Sequence, residues 1–113
     1  MLRELALFPL QIVVFPGESV NLHIFEPRYR QLVADCQGKG HTFGIPPYHN
    51  GRILEYGTEL RLVEIVKTYP QGEMDIRTQG MGIFRIKEFF PKLHDRLYAG
   101  GLVEDIIHDD YED

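Results

Sequence analysis

The chain has no tryptophan, one cysteine and one serine. A lone Cys36 excludes an intramolecular disulfide, so the fold must rest on an apolar core, and a reducing, cytoplasmic setting is expected. No apolar run approaches the ~20 residues of a membrane-spanning helix. The opening MLRELALFPL carries Glu4 and Pro9 and has no apolar core ahead of a small-residue cleavage site, so it does not read as a signal peptide. Positive charge is also short: 12 Lys and Arg face 17 Asp and Glu, a net charge of -5 with a pI near 5.5. Such a field repels phosphate backbones, which counts against nucleic-acid binding.

Two kinds of chemistry are missing as well. The only Gly-Lys pair, Gly38-Lys39, is followed by Gly40 instead of Ser or Thr, so no P-loop is present. The five histidines, His23, His41, His49, His94 and His108, show no paired ligand spacing, and no metal or other cofactor is expected. His41 and His49 flank a glycine- and proline-rich stretch and are the first to examine for ions.

What remains is ordinary globular material. A chain of 113 residues, 43% hydrophobic and 26% charged, fits one domain over residues 1–113. Leu5 to Phe15 reads as an extended segment interrupted at Pro9, and Pro16-Gly17 as a chain reversal. SVNLHIF then alternates, with Val20, Leu22 and Ile24 on one face. Tyr29, Leu32, Val33 and Cys36 follow at helical spacing, with Pro27 in the first turn, Glu26 at the positive helix end and Gly38 or Gly40 as the stop. Cys36 on that apolar stripe is expected to be buried.

TFGIPPYHNGRILEYGTEL reads as a long surface loop, with at most a short strand over residues 42–45. LRLVEIVKTY slips phase between Leu62 and Val63, which implies a bulge or burial on both faces. Pro70 and Gly72 turn the chain into Met74, Ile76 and Thr78. Gly80 and Gly82 precede the alternating IFRIKEFF, YAGGLVEDII supplies a last strand, and residues 108–113 form an acidic tail. The fold class is therefore mainly β (α+β): a curled barrel of about six mostly antiparallel strands with one main helix.

The stretch from Leu5 to Val33, with Phe8-Pro9-Leu10, Val14-Phe15-Pro16-Gly17 and IFEPRY (Ile24 to Tyr29), resembles the start of the substrate-binding domain of ATP-dependent Lon proteases, and most of all its stand-alone bacterial relatives. GTELRLVEI from Gly57 and TQGMGIFRI from Thr78 extend the likeness over nearly the whole chain. The resemblance implies a PUA-like pseudo-barrel followed in the family by a helical bundle. This chain stops at Asp113 without room for that bundle, as a short member or a shortened one would. Pro9, Pro16, Gly17, Glu26, Pro27, Arg28 and Tyr29 then read as the family's structural signature.

The resemblance further implies a non-catalytic module that binds exposed or unfolded polypeptide segments, working with a protease or ATPase component. The Ser-Lys dyad of a Lon peptidase is absent, since Ser19 lies in the signature itself. RNA binding is the alternative, because other PUA-like folds bind RNA, but no basic-aromatic stripe supports it. Arg3, Arg28 and Arg30 are expected in ion pairs, and Arg85 in a structural role. The expected binding surface comprises Pro46, Pro47, Tyr48, Ile53 and Tyr56, near exposed sheet edges that also permit a homodimer.

Overall fold

Ahead of the first proline, LRELAL forms strand β1 (Leu2–Leu7) in the computed structural model, which describes residues 1–106. The expected extension to Phe15 does not occur. Pro9 has no ladder donor, and beyond it Leu10 makes only an isolated parallel bridge to Pro47. Gly17, at φ 85°, then turns the chain into β2 (Ser19–Ile24), whose inward residues are Val20, Leu22 and Ile24 as expected.

Helix α1 (Pro27–Lys39) buries Tyr29, Leu32, Val33 and Cys36, the stripe read from the sequence. Pro27 sits at its N-terminus, where a missing N–H costs nothing. Glu26 precedes the helix in extended conformation without capping it through the side chain; its carboxylate takes Arg28 Nε at 3.0 Å. Gly40, at φ 67°, ends the helix by donating to Cys36 O at 2.9 Å, while Gly38 stays helical.

The segment expected to be a long loop is ordered instead. It holds β3 (Phe43–Ile45), β4 (Tyr48–His49) and β5 (Arg52–Ile53). Asn50 and Gly51, with φ of 52° and 76°, make the two-residue connection of a tight β4–β5 hairpin, a geometry that matches strand twist. β3 is too short to show a period, and tertiary pairing creates it.

Three longer strands complete the sheet: β6 (Tyr56–Thr68), β7 (Met74–Phe90) and β8 (Ala99–Asp105). β6 carries register shifts between Thr58 and Leu60, Leu62 and Glu64, and Ile65 and Lys67, so the phase slip in its sequence is a series of bulges. Gly80 and Gly82 do not divide β7, which runs unbroken for 17 residues. The strand order is β2-β7-β6-β3-β1-β8, and a further β7–β8 pairing closes the ring. All neighbours are antiparallel except β1 and β3.

Two groups of side chains fill this frame. Inside the ring lie Leu5, Leu7, Phe84, Ala99 and Val103. Beneath α1, Phe8 stacks on Tyr29 with ring centroids 3.7 Å apart, over Phe43, Ile45, Leu60 and Ile76. The buried threonines are satisfied: Thr58 Oγ1 donates to Val14 O and Thr78 Oγ1 to Val20 O. The acidic tail expected at residues 108–113 lies outside the described residues.

Phe84 is fully buried, and a Cβ on Gly44 would fall 2.5 Å from its ring. Gly44→Ala should therefore destabilise the fold by about 1–3 kcal/mol through overpacking. Denaturant midpoints will show this, and Phe84→Leu in the same chain should recover part of the loss.

Candidate functional site

Most charged side chains on this surface are held by one another. Arg3 bridges Glu59 and Asp105, each at 2.7 Å, and its pKa is raised first by the hydrogen bond to Asp105. Arg85 pairs with Glu55 at 2.5 Å and lies over the Tyr56 ring. Arg30 donates to the main-chain oxygens of Phe25 and Gln71, and Arg77 pairs with Glu64. Arg3 and Arg28 are in ion pairs as expected, whereas Arg30, also expected in one, bonds main-chain oxygens instead.

Among the described residues no group of three His, Cys, Asp or Glu is arranged to hold a metal. His94 meets Glu4 at 2.7 Å. His23 is engaged at both ring nitrogens, Nδ1 with Asp75 at 2.6 Å and Nε2 with Glu73 at 2.9 Å. With both partners carboxylates, the ring can donate to each when it is protonated.

The largest cavity, about 540 Å³, lies between α1, the start of β1 and the segment before β8. Its walls are ionic. Asp35 accepts from Tyr98 Oη at 2.5 Å and faces Arg96 Nε at 3.2 Å, an approach too poorly angled to satisfy that buried nitrogen. Desolvation and the Asp35 hydrogen bond push the Tyr98 hydroxyl up to about 12. This cavity knits the helix to the barrel.

A different character marks the groove between the β4–β5 hairpin and β7, about 350 Å³, lined by Tyr48, Gly51, Ile53, Leu54, Glu55, Ile86 and Phe89. The hairpin is fixed at its base: Tyr48 N donates to Leu10 O at 2.7 Å and Leu54 N to Pro47 O at 2.9 Å. Ile86 N donates to Glu55 O at 2.6 Å, which joins the hairpin exit to β7. Tyr48, Leu54, Tyr56 and Phe89 remain exposed, at 39, 44, 49 and 39%. An ordered apolar groove with one charged wall residue, itself paired, is built to take apolar groups.

Of the expected surface, Tyr48 and Ile53 meet in this groove and Tyr56 stands beside it under Arg85. Pro46 does not belong to it: the side chain is fully buried, because it follows β3 into the core, and its role is structural. Pro47 is half-buried at the Leu10 bridge and positions the hairpin. Sequence reasoning missed Leu54, Ile86 and Phe89. Leu54 carried a local signal as an apolar residue after an Asn-Gly turn, whereas Ile86 and Phe89 come from a distant strand.

Two outcomes follow. His23 has its pKa raised by the Asp75 and then the Glu73 hydrogen bond, while Asp75 is lowered by Tyr69 and His23. The His23 contribution to stability is thus complete below its unfolded pKa of ~6.5 and is lost as pH rises through the higher folded value. An NMR titration should place the ring midpoint above ~6.5, and His23→Gln should remove that part of the pH dependence. Burial raises the Cys36 thiol to about 11, so thiol reagents at neutral pH should label it only as the protein opens.

Comparison with known proteins agrees with this fold. The family description "ATP-dependent protease La (LON) substrate-binding domain" matches residues 4–113. A Lon N-terminal domain protein from Xanthomonas campestris superposes with a TM-score of 0.79 at 32% identity, covering 93% of this chain and 60% of that one. The N-terminal domain of a Mycobacterium avium complex Lon protease shares the fold, with a TM-score of 0.73 at 13% identity over 94% of this chain and 56% of that one. The chain thus spans somewhat over half the length of these solved relatives. By the match over residues 4–113 and the 32% identity, the chain belongs to the LON substrate-binding domain family.

Proposed function

We propose that residues 1–113 act as one non-catalytic module that binds exposed or unfolded polypeptide segments at the groove between the β4–β5 hairpin and β7. The carrying observation is the exposure of Tyr48, Leu54, Tyr56 and Phe89 around one ordered concavity. Apolar side chains left in water gain by covering a partner's apolar side chains, at roughly 25 cal/mol per Å² removed from water. The family is named for substrate binding, and the matched description is of that domain, with no ATPase or peptidase domain in it. A cytoplasmic protease or ATPase would receive what the module holds.

RNA is the weaker ligand for this surface. Arg85, which lies over Tyr56 beside the groove, is paired with Glu55, and the chain carries a net charge of -5.

Tyr48, Ile53, Ile86 and Phe89 of the groove stand on strand backbone, which favours a low ordering cost on binding. Leu54→Asp and Phe89→Ser should each weaken binding of a permanently unfolded polypeptide by about tenfold or more, equivalent to ~1.4 kcal/mol. Their unfolding free energies should stay within about 0.5–1 kcal/mol of the parent, since both side chains are exposed. Fluorescence anisotropy and denaturant titration make the comparison; equal polypeptide affinity in both variants, or tighter binding of a short RNA, would overturn the reading.

A further inference from the structure

Among the described residues several strand sides have no neighbouring strand: β1 before Ala6, β7 beyond Arg85, and two longer edges, the outer side of β2 and β6 beyond Leu60, where pairing with β3 ends. The two edges are built differently. The β6 stretch contains register shifts between Leu62 and Glu64 and between Ile65 and Lys67, and it carries Arg61 and Lys67. Bulges and edge cations deter another strand from adding.

β2 has none of these defences. It pairs with β7 residue for residue from Ser19–Gln79 to Ile24–Met74 without a shift, and SVNLHI contains no proline, lysine or arginine. Its backbone phase can be read from two bonds: Gly80 N donates to Glu18 O at 2.8 Å, and Thr78 Oγ1 donates to Val20 O at 2.8 Å. Glu18 and Val20 therefore point their main-chain groups at β7. In an antiparallel strand the next residues point away, so the N–H and C=O of Ser19, Asn21 and His23 face outward. Phe15 and Phe25, 66% and 56% exposed, stand just beyond the two ends of the strand.

We propose that the outer edge of β2 is a strand-addition site for an extended polypeptide segment, with Ser19, Asn21 and His23 supplying the main-chain bonds and Phe15 and Phe25 the apolar contacts at either end. Glu18 lies at one end of the strand, and at the other Glu73 and Asp75 outnumber the one His23 they share, while Glu26 is paired with Arg28, so the segment it favours is apolar with basic ends. A second copy of the chain fits less well. Each copy carries a charge of -5 and would bring the same acidic groups together. Six residues also provide only about 20 Å of ladder, little of the ~1,200 Å² that a stable interface between folded partners buries. This site is separate from the hairpin groove and does not depend on it.

The test uses the full chain and a synthetic peptide of alternating valine and threonine with a lysine at each end. On peptide addition, the amides of Ser19, Asn21 and His23 should gain protection from hydrogen exchange, while those of the β6 stretch from Arg61 to Thr68 stay unchanged. Asn21→Pro removes one outward N–H without touching the β7 ladder and should weaken the peptide at least tenfold, whereas Asn21→Ala and Leu54→Asp should bind it as the parent does. Exchange on the parent chain tests the site even where the proline variant fails to fold. Undiminished binding by a folded Asn21→Pro, protection confined to the hairpin groove or to β6, or protection without peptide in a dimer seen by light scattering would each overturn the proposal.

Discussion

The hydrogen-bonded closure made by β7 is the constraint on which the rest of the molecule depends. Over 17 residues this strand pairs with β2 and β6 through its first part and with β6 and β8 through its last. β8 then carries the ring through β1 and β3 back to β6. A sheet that returns on itself needs curvature, and the bulges in β6, with a further shift between Ile86 and Glu88, supply it. Closure also removes many free edges, and β2 is left at the sheet's margin among the described residues.

Packing follows from that ring. Phe84 occupies its interior, and Gly44 and Gly57 lie where any side chain would strike the aromatic ring. Against the sheet, α1 packs Tyr29, Leu32, Val33 and Cys36, and Tyr29 stacks on Phe8 just after β1. The ionic cluster of Asp35, Arg96 and Tyr98 ties the helix to the segment before β8. Charged groups thus sit at joints between elements, while exposed apolar side chains occur at the hairpin groove, beside β2 at Phe15 and Phe25, and elsewhere, among them Val13, Val66 and Met81. Charge set apart from apolar surface favours solubility and leaves that surface open to apolar contacts.

Much of this was legible before any coordinates. The i, i+3, i+4, i+7 spacing of Tyr29, Leu32, Val33 and Cys36 marked the helix and its buried face together, because a helical stripe and its burial are one fact seen twice. The alternation of SVNLHI and the phase slip in LRLVEIVKTY were equally local. Legibility failed where a segment was too short to have a period. β4 and β5 hold two residues each and exist because an Asn-Gly turn joins them as a pair, whereas the short strand expected over residues 42–45 is present as β3. Pro46 illustrates the same limit: a proline in a glycine-rich stretch reads as surface, yet the pairing of β3 carries it into the core.

By itself the sequence determined the mainly β class, the single helix and its register, the buried and unreactive Cys36, and the family signature from Phe8 to Tyr29, since each rests on contacts between residues near in the chain or on composition. Only the tertiary structure decided that the ring closes through β7, that Tyr48 and Ile53 meet Ile86 and Phe89 across a groove, and that β2 is left at the margin. These are pairings over long sequence separations. Their energy comes from surfaces that exist only once distant strands have met, so no local pattern of residues encodes them.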